Sequence, residues 1–250
     1  MKLFIPVITY NHTCNTEYMF SLLQLILNLK HHNIQTVLYP IVFDSLISRA
    51  RNAAVAHFLS DPEATHLLFI DSDIEFKTED IFALLMADKA VVCAAYAQKW
   101  LNQETMKKVF SNSIEIPQPM ELATKTSVHL LEPTNPEYLM KVKYATTGFL
   151  LIQRNVFEII AKNNPHLAYN NDIDGYAGAN PAFFYNFFPL NIHPETKVLE
   201  SEDYGFSRLW TDLGGEIYVA TNITLNHLGW YAYPANLFRQ LSFAATSSTS

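Results

Sequence analysis

The chain has 250 residues, of which 49% are hydrophobic, so it can bury a sizeable core as one large domain or two small ones. Its formal net charge of −7, without a basic stripe, argues against DNA or RNA as the main partner. An acidic protein that binds a diphosphate must supply local positive charge, from a metal ion or from a few well-placed Arg and Lys side chains.

The N-terminus and the cysteines indicate a soluble, cytoplasmic protein. One lysine, Lys2, precedes a short β-branched run, without the longer apolar region and cleavage site of a signal peptide. The longest apolar stretch, residues 18–29, contains polar side chains and is too short to span a bilayer. Cys14 and Cys93 follow no disulfide spacing pattern, so we expect both to be reduced core residues.

Segments with strand and helix patterns alternate over the first hundred residues. Apolar and β-branched runs predict strands at residues 2–9, 36–43, 66–70 and 90–96. Helices are predicted between them, at residues 17–30, 45–59 and 78–88. Alternation at this spacing predicts βαβ units and an α/β fold, with a Rossmann-like, mostly parallel central sheet flanked by helices.

The rest of the chain is less regular. Residues 97–140 have mixed polarity and several prolines, so we expect hairpins and loops there and not a separate domain. Further strands are predicted at residues 144–153 and 216–220, and further helices at residues 155–162 and 201–213. Residues 163–194 are typical of a long loop, and residues 241–250 are predicted to be a mobile polar tail.

Two carboxylates follow the wholly apolar strand predicted at residues 66–70. Asp71 and Asp73 are separated only by Ser72, directly past the strand end. Ligands of open α/β sheets bind beyond the carboxyl ends of strands, so both acids should lie at the edge of a site. Both can reach one cation, or one can bind a cation and the other a ribose hydroxyl, and Mg²⁺ and Mn²⁺ favour oxygen ligands. Taken alone, the tripeptide fits an acidic turn equally well.

Basic and amide side chains lie on the preceding helix, predicted at residues 45–59. Arg49 and Asn52 are three residues apart and share a face, while Arg51 points elsewhere. One arginine could bind a nucleobase or a phosphate through its planar guanidinium. The alternative is a solvated basic edge of the helix.

Acidic and histidine side chains recur near the end of the chain. Ser201 fits the cap of a helix whose first turn holds Glu202 and Asp203, where the helix dipole stabilises negative charge. Asp203 could accept a proton from an acceptor hydroxyl, although first-turn acids are also common without any such role. His227 could complete a metal site as a neutral imidazole, but a lone histidine is more often a hydrogen-bonded core residue.

Taken in order, these motifs resemble the glycosyltransferases of the GT-A fold, and most of all the family 2-like members. The order is a first strand, an Arg-Asn helix, a strand followed by Asp-x-Asp, a Gly-Phe strand, Glu-Asp at a helix start and a late histidine. The chain is also similar to glycosyltransferase domains of large DNA viruses of algae. The resemblance runs from Lys2 to Trp230 and leaves residues 97–140 and 163–199 as insertions on the acceptor side.

The resemblance implies a role for each matching position. Asp71, Asp73 and His227 would bind Mn²⁺ or Mg²⁺, with Asp73 the more direct ligand, and Asp203 would be the catalytic base beside Glu202. The nucleotide sugar would be bound by Pro6, Thr9, Asp44, Arg51, Asn52, Asp71, Ser72 and Gly148. Within that set, Asp44 departs from the family pattern, because the acid that reads the base normally lies at the end of the second strand and Asp44 comes slightly later.

The activity implied by the resemblance is metal-dependent transfer of a sugar from a nucleotide sugar, with UDP-sugars favoured, to a hydroxyl of a carbohydrate or glycan acceptor, with inversion. We expect a single GT-A domain at residues 1–240, with a nucleotide-binding half at residues 1–96 and an acceptor and catalytic half at residues 141–233. Aromatic rings in the loop at residues 169–188 either stack on the acceptor sugar or fill the core beneath the loop.

Two other functions fit parts of the sequence. A sugar-nucleotide pyrophosphorylase should have a Gly-rich phosphate loop directly after the first strand, and residues 9–13 contain no glycine. A non-catalytic module that binds carbohydrate or nucleotide sugar fits the abundance of Tyr and Phe. The joint presence of the two acids of the Asp-x-Asp motif, Asp203 and His227 favours an enzyme over such a module.

Overall fold

The computed structural model of the chain describes residues 1–111, 118–131 and 136–247. The strands are β1 (Lys2–Thr9), β2 (Gln35–Val42), β3 (His66–Ile70), β4 (Ile74–Glu75), β5 (Val91–Ala94), β6 (Ala97–Leu101), β7 (Thr124–Thr126), β8 (His129–Leu130), β9 (Leu139–Tyr144), β10 (Phe149–Gln153), β11 (Asn191–Ile192), β12 (Leu199–Glu200), β13 (Ile217–Ala220), β14 (Thr224–Leu228) and β15 (Ala232–Asn236). The α-helices are α1 (Thr16–His31), α2 (Ile47–Ser60), α3 (Thr78–Met86), α4 (Gln103–Ser111), α5 (Met120–Ala123), α6 (Arg154–Asn163), α7 (Glu202–Thr211) and α8 (Leu237–Ser247).

Eight strands form the central sheet, in the order β2-β1-β3-β10-β5-β13-β9-β8. β1 is parallel to β2 and β3, and β5 is parallel to β13, while β10 and β9 run antiparallel to both of their neighbours. Six of the eight strands therefore share one direction. This arrangement confirms the predicted α/β class with a large, mostly parallel sheet flanked by helices.

The strand β3 illustrates why the sheet is covered on both faces. Leu67 and Phe69 pack into one core with the alanine-rich helix α2, and Leu68 and Ile70 pack into a second core with residues of α1 and α3. Successive strand residues point to opposite faces, so a strand buried on both sides must be apolar throughout. All four side chains are at most 3% exposed. The chain first reaches polar surroundings at Asp71, immediately after the strand.

A second, three-stranded sheet in the order β15-β14-β4 brings the end of the chain to the Asp-x-Asp motif. The two-residue strand β4 follows Asp73, and its Ile74 lies opposite His227 in β14. The Leu228 N–H also donates to the Asp73 carbonyl at 2.7 Å. These backbone contacts fix the position of His227 relative to Asp73.

Several elements differ from their predicted bounds. The strand predicted at residues 144–153 covers only the last residue of β9, a turn and the whole of β10. The chain turns between the two strands, where the Ala145 N–H and the Thr146 hydroxyl are held by hydrogen bonds. Two helices, α4 and α5, lie in the segment 97–140, where only hairpins and loops were expected. The tail predicted at residues 241–250 is helical as far as Ser247, where α8 ends. The remaining parts of these predictions, at residues 112–117, 132–135 and 248–250, lie outside the described residues.

Both cysteines are free thiols. Cys93 is buried in β5, as predicted, and burial raises the pKa of its thiol to about 11. Cys14 is exposed instead of lying in the core, because the loop before α1 runs over the surface. Within the described ranges, no helix is both long and apolar enough to cross a membrane.

Candidate functional site

A cavity of about 360 Å³ lies at the carboxyl ends of β1 and β3, beside the start of α2. Its walls are formed by Ile8, Tyr10, Asp44, Ser45, Ile47, Arg51, Asp71, Ser72 and Asp73. A neighbouring cavity of about 490 Å³ shares Tyr10, Ser72 and Asp73 with it. A larger cavity, of about 540 Å³, is lined by residues between 26 and 36 and contains none of the predicted site residues. The two adjoining cavities therefore form the candidate site.

The Arg51 side chain is buried in the wall of this site, and its charge is only partly compensated. It is 4% exposed, and its guanidinium lies 5.7 Å from the centre of the Phe69 ring. Nη2 lies 3.4 Å from Asp71 Oδ1 and Nε lies 3.5 Å from Glu202 Oε1, both longer than a strong charge-assisted hydrogen bond. In the described part of the chain, Nε and Nη1 have no hydrogen-bond partner. Both nitrogens are also shielded from solvent, so the guanidinium favours an anion in the cavity through its positive charge.

Carboxylates outnumber cations around Arg51. Burial raises the pKa of Asp71, although Arg51 opposes the shift and 36% of the side chain stays exposed to the cavity. Burial also raises the pKa of Glu202, again against the effect of Arg51. The charges of Asp73 and Asp203 act on Asp71 in the same direction as burial. This excess of negative charge favours the binding of protons or of a cation.

Asp73 has two partners at one carboxylate oxygen. Its Oδ2 lies 2.6 Å from Lys99 Nζ and 3.3 Å from His227 Nε2. Burial alone would raise the pKa of Asp73, but the His227 and Lys99 contacts outweigh it and hold the pKa below its ordinary value. Nδ1 of His227 lies 2.7 Å from the Ala97 carbonyl oxygen and must donate to it, since a carbonyl only accepts. Nε2 is therefore the nitrogen that can bind a proton or a cation beside Asp73.

Gly148 lies against Asp71 at the start of β10. Its carbonyl accepts a hydrogen bond from the Asp71 N–H at 2.9 Å. A Cβ at this position would lie 2.7 Å from the Tyr96 ring and 2.8 Å from Asp71 Oδ2, so only glycine fits without displacing either group. Gly148 does not line the cavity. Its contribution is to position Asp71, and not the direct ligand contact predicted from the sequence.

We expect Gly148→Ala to lower the free energy of unfolding by about 1–3 kcal/mol, because the added methyl group overpacks the space between Tyr96 and Asp71. Urea-induced unfolding measures the loss. Gly175→Ala is the matched control, since no atom of the described chain lies within 4 Å of the Cβ it adds, and a change within about 0.5 kcal/mol is expected. Equal stability of the two variants would contradict the close approach at Gly148.

Glu202 and Asp203 lie in the first turn of α7, after the cap residue Ser201. Glu202 faces Arg51, and its side chain is 15% exposed. Asp203 Oδ1 accepts hydrogen bonds from the Ser201 hydroxyl and from the Tyr204 N–H, the latter at 2.9 Å. Within the described residues, no hydrogen bond reaches Asp203 Oδ2. The acid predicted as the base thus has one oxygen fixed by the protein and one oxygen unused.

The carboxylate of Asp44 is fully engaged by the protein. Arg49 donates to both oxygens, at 2.8 and 2.9 Å, and the Leu46 N–H and the Tyr176 hydroxyl supply one further bond to each oxygen. Burial alone would raise the pKa of Asp44, but these hydrogen bonds, those of Arg49 above all, hold it below its ordinary value. A carboxylate has about four acceptor sites, and all are used. The base-reading role predicted for Asp44 therefore has no free acceptor, and its observed role is to shape the cavity wall.

Three other predicted nucleotide-binding residues do not line the cavity: Pro6, Thr9 and Asn52. Thr9 is 7% exposed. Its neighbour Ile8 lines the cavity, and successive strand residues point to opposite faces, so Thr9 points away from the cavity. The Asn52 amide donates to the Asn186 side chain and accepts from the Phe188 N–H, both at 3.0 Å. Asn52 thus attaches the loop after α6 to α2. Ser72, in contrast, lines both cavities.

The six aromatic rings considered for sugar stacking lie in or against a hydrophobic core: Tyr176, Phe183, Phe184, Tyr185, Phe187 and Phe188. Phe187 packs against Phe157 with ring centres 5.2 Å apart, and Phe188 stacks on Phe206 at 4.9 Å. The loop carries these rings inward because its backbone is bonded to the side chains of α2. The structure therefore favours the core-filling alternative for Tyr176, Phe184, Phe187 and Phe188, while Phe183 and Tyr185 are only partly buried against the core.

The predicted metal ligands share one edge of the sheet without forming a preassembled cluster. Across the described ranges, no three His, Cys, Asp or Glu side chains are grouped so that they could hold a metal ion. Asp73 and His227 are adjacent, whereas Asp71 contacts Arg51. Carboxylate oxygens and one imidazole nitrogen nevertheless suit Mn²⁺ or Mg²⁺, and the excess negative charge favours a cation. The types of these side chains therefore suit such an ion, and the Lys99 ammonium would compete with it for Asp73.

The chain matches no protein-family model and no curated protein. Among solved structures, it is similar to A197 from STIV, with 15% sequence identity and a TM-score of 0.50 over 92% of this chain and 86% of that chain. At this level of identity the similarity concerns the fold alone. It agrees with a mixed α/β chain built on a large, mostly parallel sheet.

Proposed function

We propose that the chain is a GT-A-type glycosyltransferase that transfers a sugar from a nucleotide sugar, with UDP-sugars favoured, to a hydroxyl of a carbohydrate acceptor. The observation that carries the proposal is the only partly compensated positive charge of Arg51 in the same cavity wall as Asp73. A nucleoside diphosphate with its divalent ion needs an anion-binding guanidinium and cation-binding carboxylates side by side. The order of the sequence motifs supports the same activity.

Mn²⁺ or Mg²⁺ would be held by Asp73 and His227, with Asp71 as a further carboxylate. When bound, the ion supplies positive charge that neutralises the leaving diphosphate. The positive charge of Arg51 in the cavity wall would stabilise part of the negative charge of the diphosphate.

The acceptor hydroxyl attacks the anomeric carbon as the bond from that carbon to the diphosphate oxygen breaks, which inverts the configuration. Asp203 takes the hydroxyl proton at Oδ2, while Oδ1 stays fixed by Ser201 and Tyr204. Glu202 remains paired with Arg51 and keeps the guanidinium in place.

Assays of donor hydrolysis and transfer with UDP-, GDP- and TDP-sugars plus Mn²⁺ test this function, read as release of the nucleoside diphosphate. We expect turnover with UDP-sugars above the other two classes. Binding of a nucleotide sugar without transfer or hydrolysis, whatever acceptor is offered, would make the protein a non-catalytic binding module. If none of the three classes binds, the proposed function is wrong.

We expect Arg51→Ala to weaken UDP binding by about 10–100-fold, because the cavity wall loses a positive charge that interacts with the diphosphate. Titration calorimetry with UDP and Mn²⁺ measures the affinity. Lys107→Ala is the control, because Lys107 is an exposed lysine on α4 and does not line the cavity. Its UDP affinity should stay within about threefold of the unmodified protein. Equal losses in the two variants would remove the specific role of Arg51.

A further inference from the structure

Lys99 places its ammonium group on the carboxylate oxygen that a divalent ion would use. Its Nζ lies 2.6 Å from Asp73 Oδ2, the same atom that lies 3.3 Å from His227 Nε2. The pair is not deeply buried, since the side chains of Lys99 and Asp73 are 37% and 31% exposed. No sequence motif includes this lysine.

The fold gives Lys99 a defined path to Asp73. The hydrogen bond from His227 to the Ala97 carbonyl holds β6 beside β14, and Lys99 lies two residues further along β6. Gly229, just after β14, borders the lysine stem, and a Cβ at Gly229 would lie 3.1 Å from Lys99 Cδ. The absence of a side chain at Gly229 leaves room for the stem between the two strands.

An ammonium and a divalent ion exclude each other at this oxygen. Two cations at contact distance repel strongly, and an exposed Lys–carboxylate pair is a weak interaction that a more highly charged ion can replace. The flexible four-carbon stem then allows the ammonium to move to a nearby anion. A diphosphate brought in with the divalent ion supplies such an anion.

We propose that Lys99 is a displaceable counter-ion. It neutralises Asp73 while the site lacks a divalent ion, leaves Asp73 when the ion binds, and then binds the diphosphate of the donor. This inference rests on the proposed function, since it takes a divalent ion and a nucleoside diphosphate as the ligands. It predicts that one substitution of Lys99 raises the affinity for the divalent ion and lowers the affinity for the diphosphate. A lysine with a purely structural role would not change the two affinities in opposite directions.

The test measures binding to the full chain, with Mn²⁺ followed by electron paramagnetic resonance of the free ion and UDP followed by calorimetry. Without nucleotide, Lys99→Gln should bind Mn²⁺ about 3–10-fold more tightly, because the competing charge is gone. At saturating Mn²⁺, the same variant should bind UDP about 10-fold more weakly, because a charge-assisted contact is lost. Lys99→Arg, which keeps the charge, should show smaller changes in both constants.

Lys107→Gln is the control, since Lys107 is an exposed lysine on α4, outside the candidate site. Circular dichroism melting establishes that each variant is folded before binding is compared. If Lys99→Gln binds Mn²⁺ more weakly, or if both of its constants equal those of Lys107→Gln, the counter-ion role is wrong while the metal-dependent function stands. If the unmodified protein binds no Mn²⁺, with or without UDP, the metal-dependent function fails and the inference fails with it.

Discussion

Asp203→Asn is expected to slow sugar transfer by about 10²–10⁴-fold, the usual cost of removing a general base. The carboxylate is held at Oδ1 by the Ser201 hydroxyl and the Tyr204 N–H, which leaves Oδ2 to take the proton of the acceptor. It lies in the first turn of α7, where the helix dipole stabilises negative charge. It need only accept the proton as the glycosidic bond forms, when the hydroxyl has become much more acidic.

Donor and metal affinity should barely change in Asp203→Asn, because the direct contacts of Asp203 are with Ser201 and Tyr204 and not with Arg51 or Asp73. The measurement is therefore a pair: the single-turnover transfer rate and the calorimetric affinity for UDP with Mn²⁺. Glu202→Gln is the matched comparison in the same helical turn. Glu202 is paired with Arg51, so its loss should weaken UDP binding and reduce transfer less than Asp203→Asn does.

Near-normal transfer by Asp203→Asn would show that Asp203 is not the base. If Glu202→Gln were the slower variant at saturating donor, the base would be Glu202. If neither variant were slow, an inverting mechanism through this turn would be excluded.

Local chemistry determines the parts of the fold that could be predicted. β1 and β3 have their predicted bounds because each is an apolar run that ends where polar residues begin. The helix α2 begins two residues later than predicted and ends one residue later. The direction of β10 and the split between β9 and β10 could not be predicted in this way, because residues 145–148 turn through long-range hydrogen bonds to Ala94 and Ser207.

The end of the chain likewise could not be predicted from local composition. Residues 242–250 are mostly small and polar, which favours a tail. The apolar residues just before them nevertheless attach a helix, with Phe238 stacked on Tyr138 at 5.3 Å and the Phe238 N–H donating to the Thr221 carbonyl. Tertiary packing therefore extends the helix into a segment whose composition favours disorder.

The site was predictable where residues follow strand ends and not where distant segments meet. Asp71 and Asp73 were identified because they follow β3, and Tyr96 follows β5 at the same edge, so the same rule points to it. The sequence places two arginines on α2 without distinguishing them; Asp44 pairs with Arg49, and Arg51 is left with free donors. Lys99 reaches Asp73 only through the packing of β6 beside β14, which no local pattern encodes.

Asp73→Asn should reduce transfer stimulated by divalent ions on the order of 100-fold or more, since a neutral amide is a poor ligand for Mn²⁺ or Mg²⁺. The fold should be retained, for two reasons. Asparagine has the same shape, and its Oδ1 can still accept a hydrogen bond from Lys99. The ion pair that is lost is partly exposed and contributes no more than about 1 kcal/mol to the free energy of unfolding.

The decisive measurement is the transfer rate as a function of Mn²⁺ concentration, together with the melting temperature of each variant. Asp212→Asn is the matched control, because Asp212 is an exposed carboxylate, 63% accessible, whose ion-pair partner is Arg208 on the outside of α7. Its rate should stay within about twofold of the unmodified protein. Asp73→Asn should remain slow at every Mn²⁺ concentration, because the lost ligand lowers the affinity for the ion and also the charge stabilisation in the transition state. If high Mn²⁺ concentrations restored the full transfer rate, Asp73 would contribute only to binding of the ion. If EDTA leaves donor binding and turnover of the unmodified protein unchanged, Asp73 and His227 do not form a metal site.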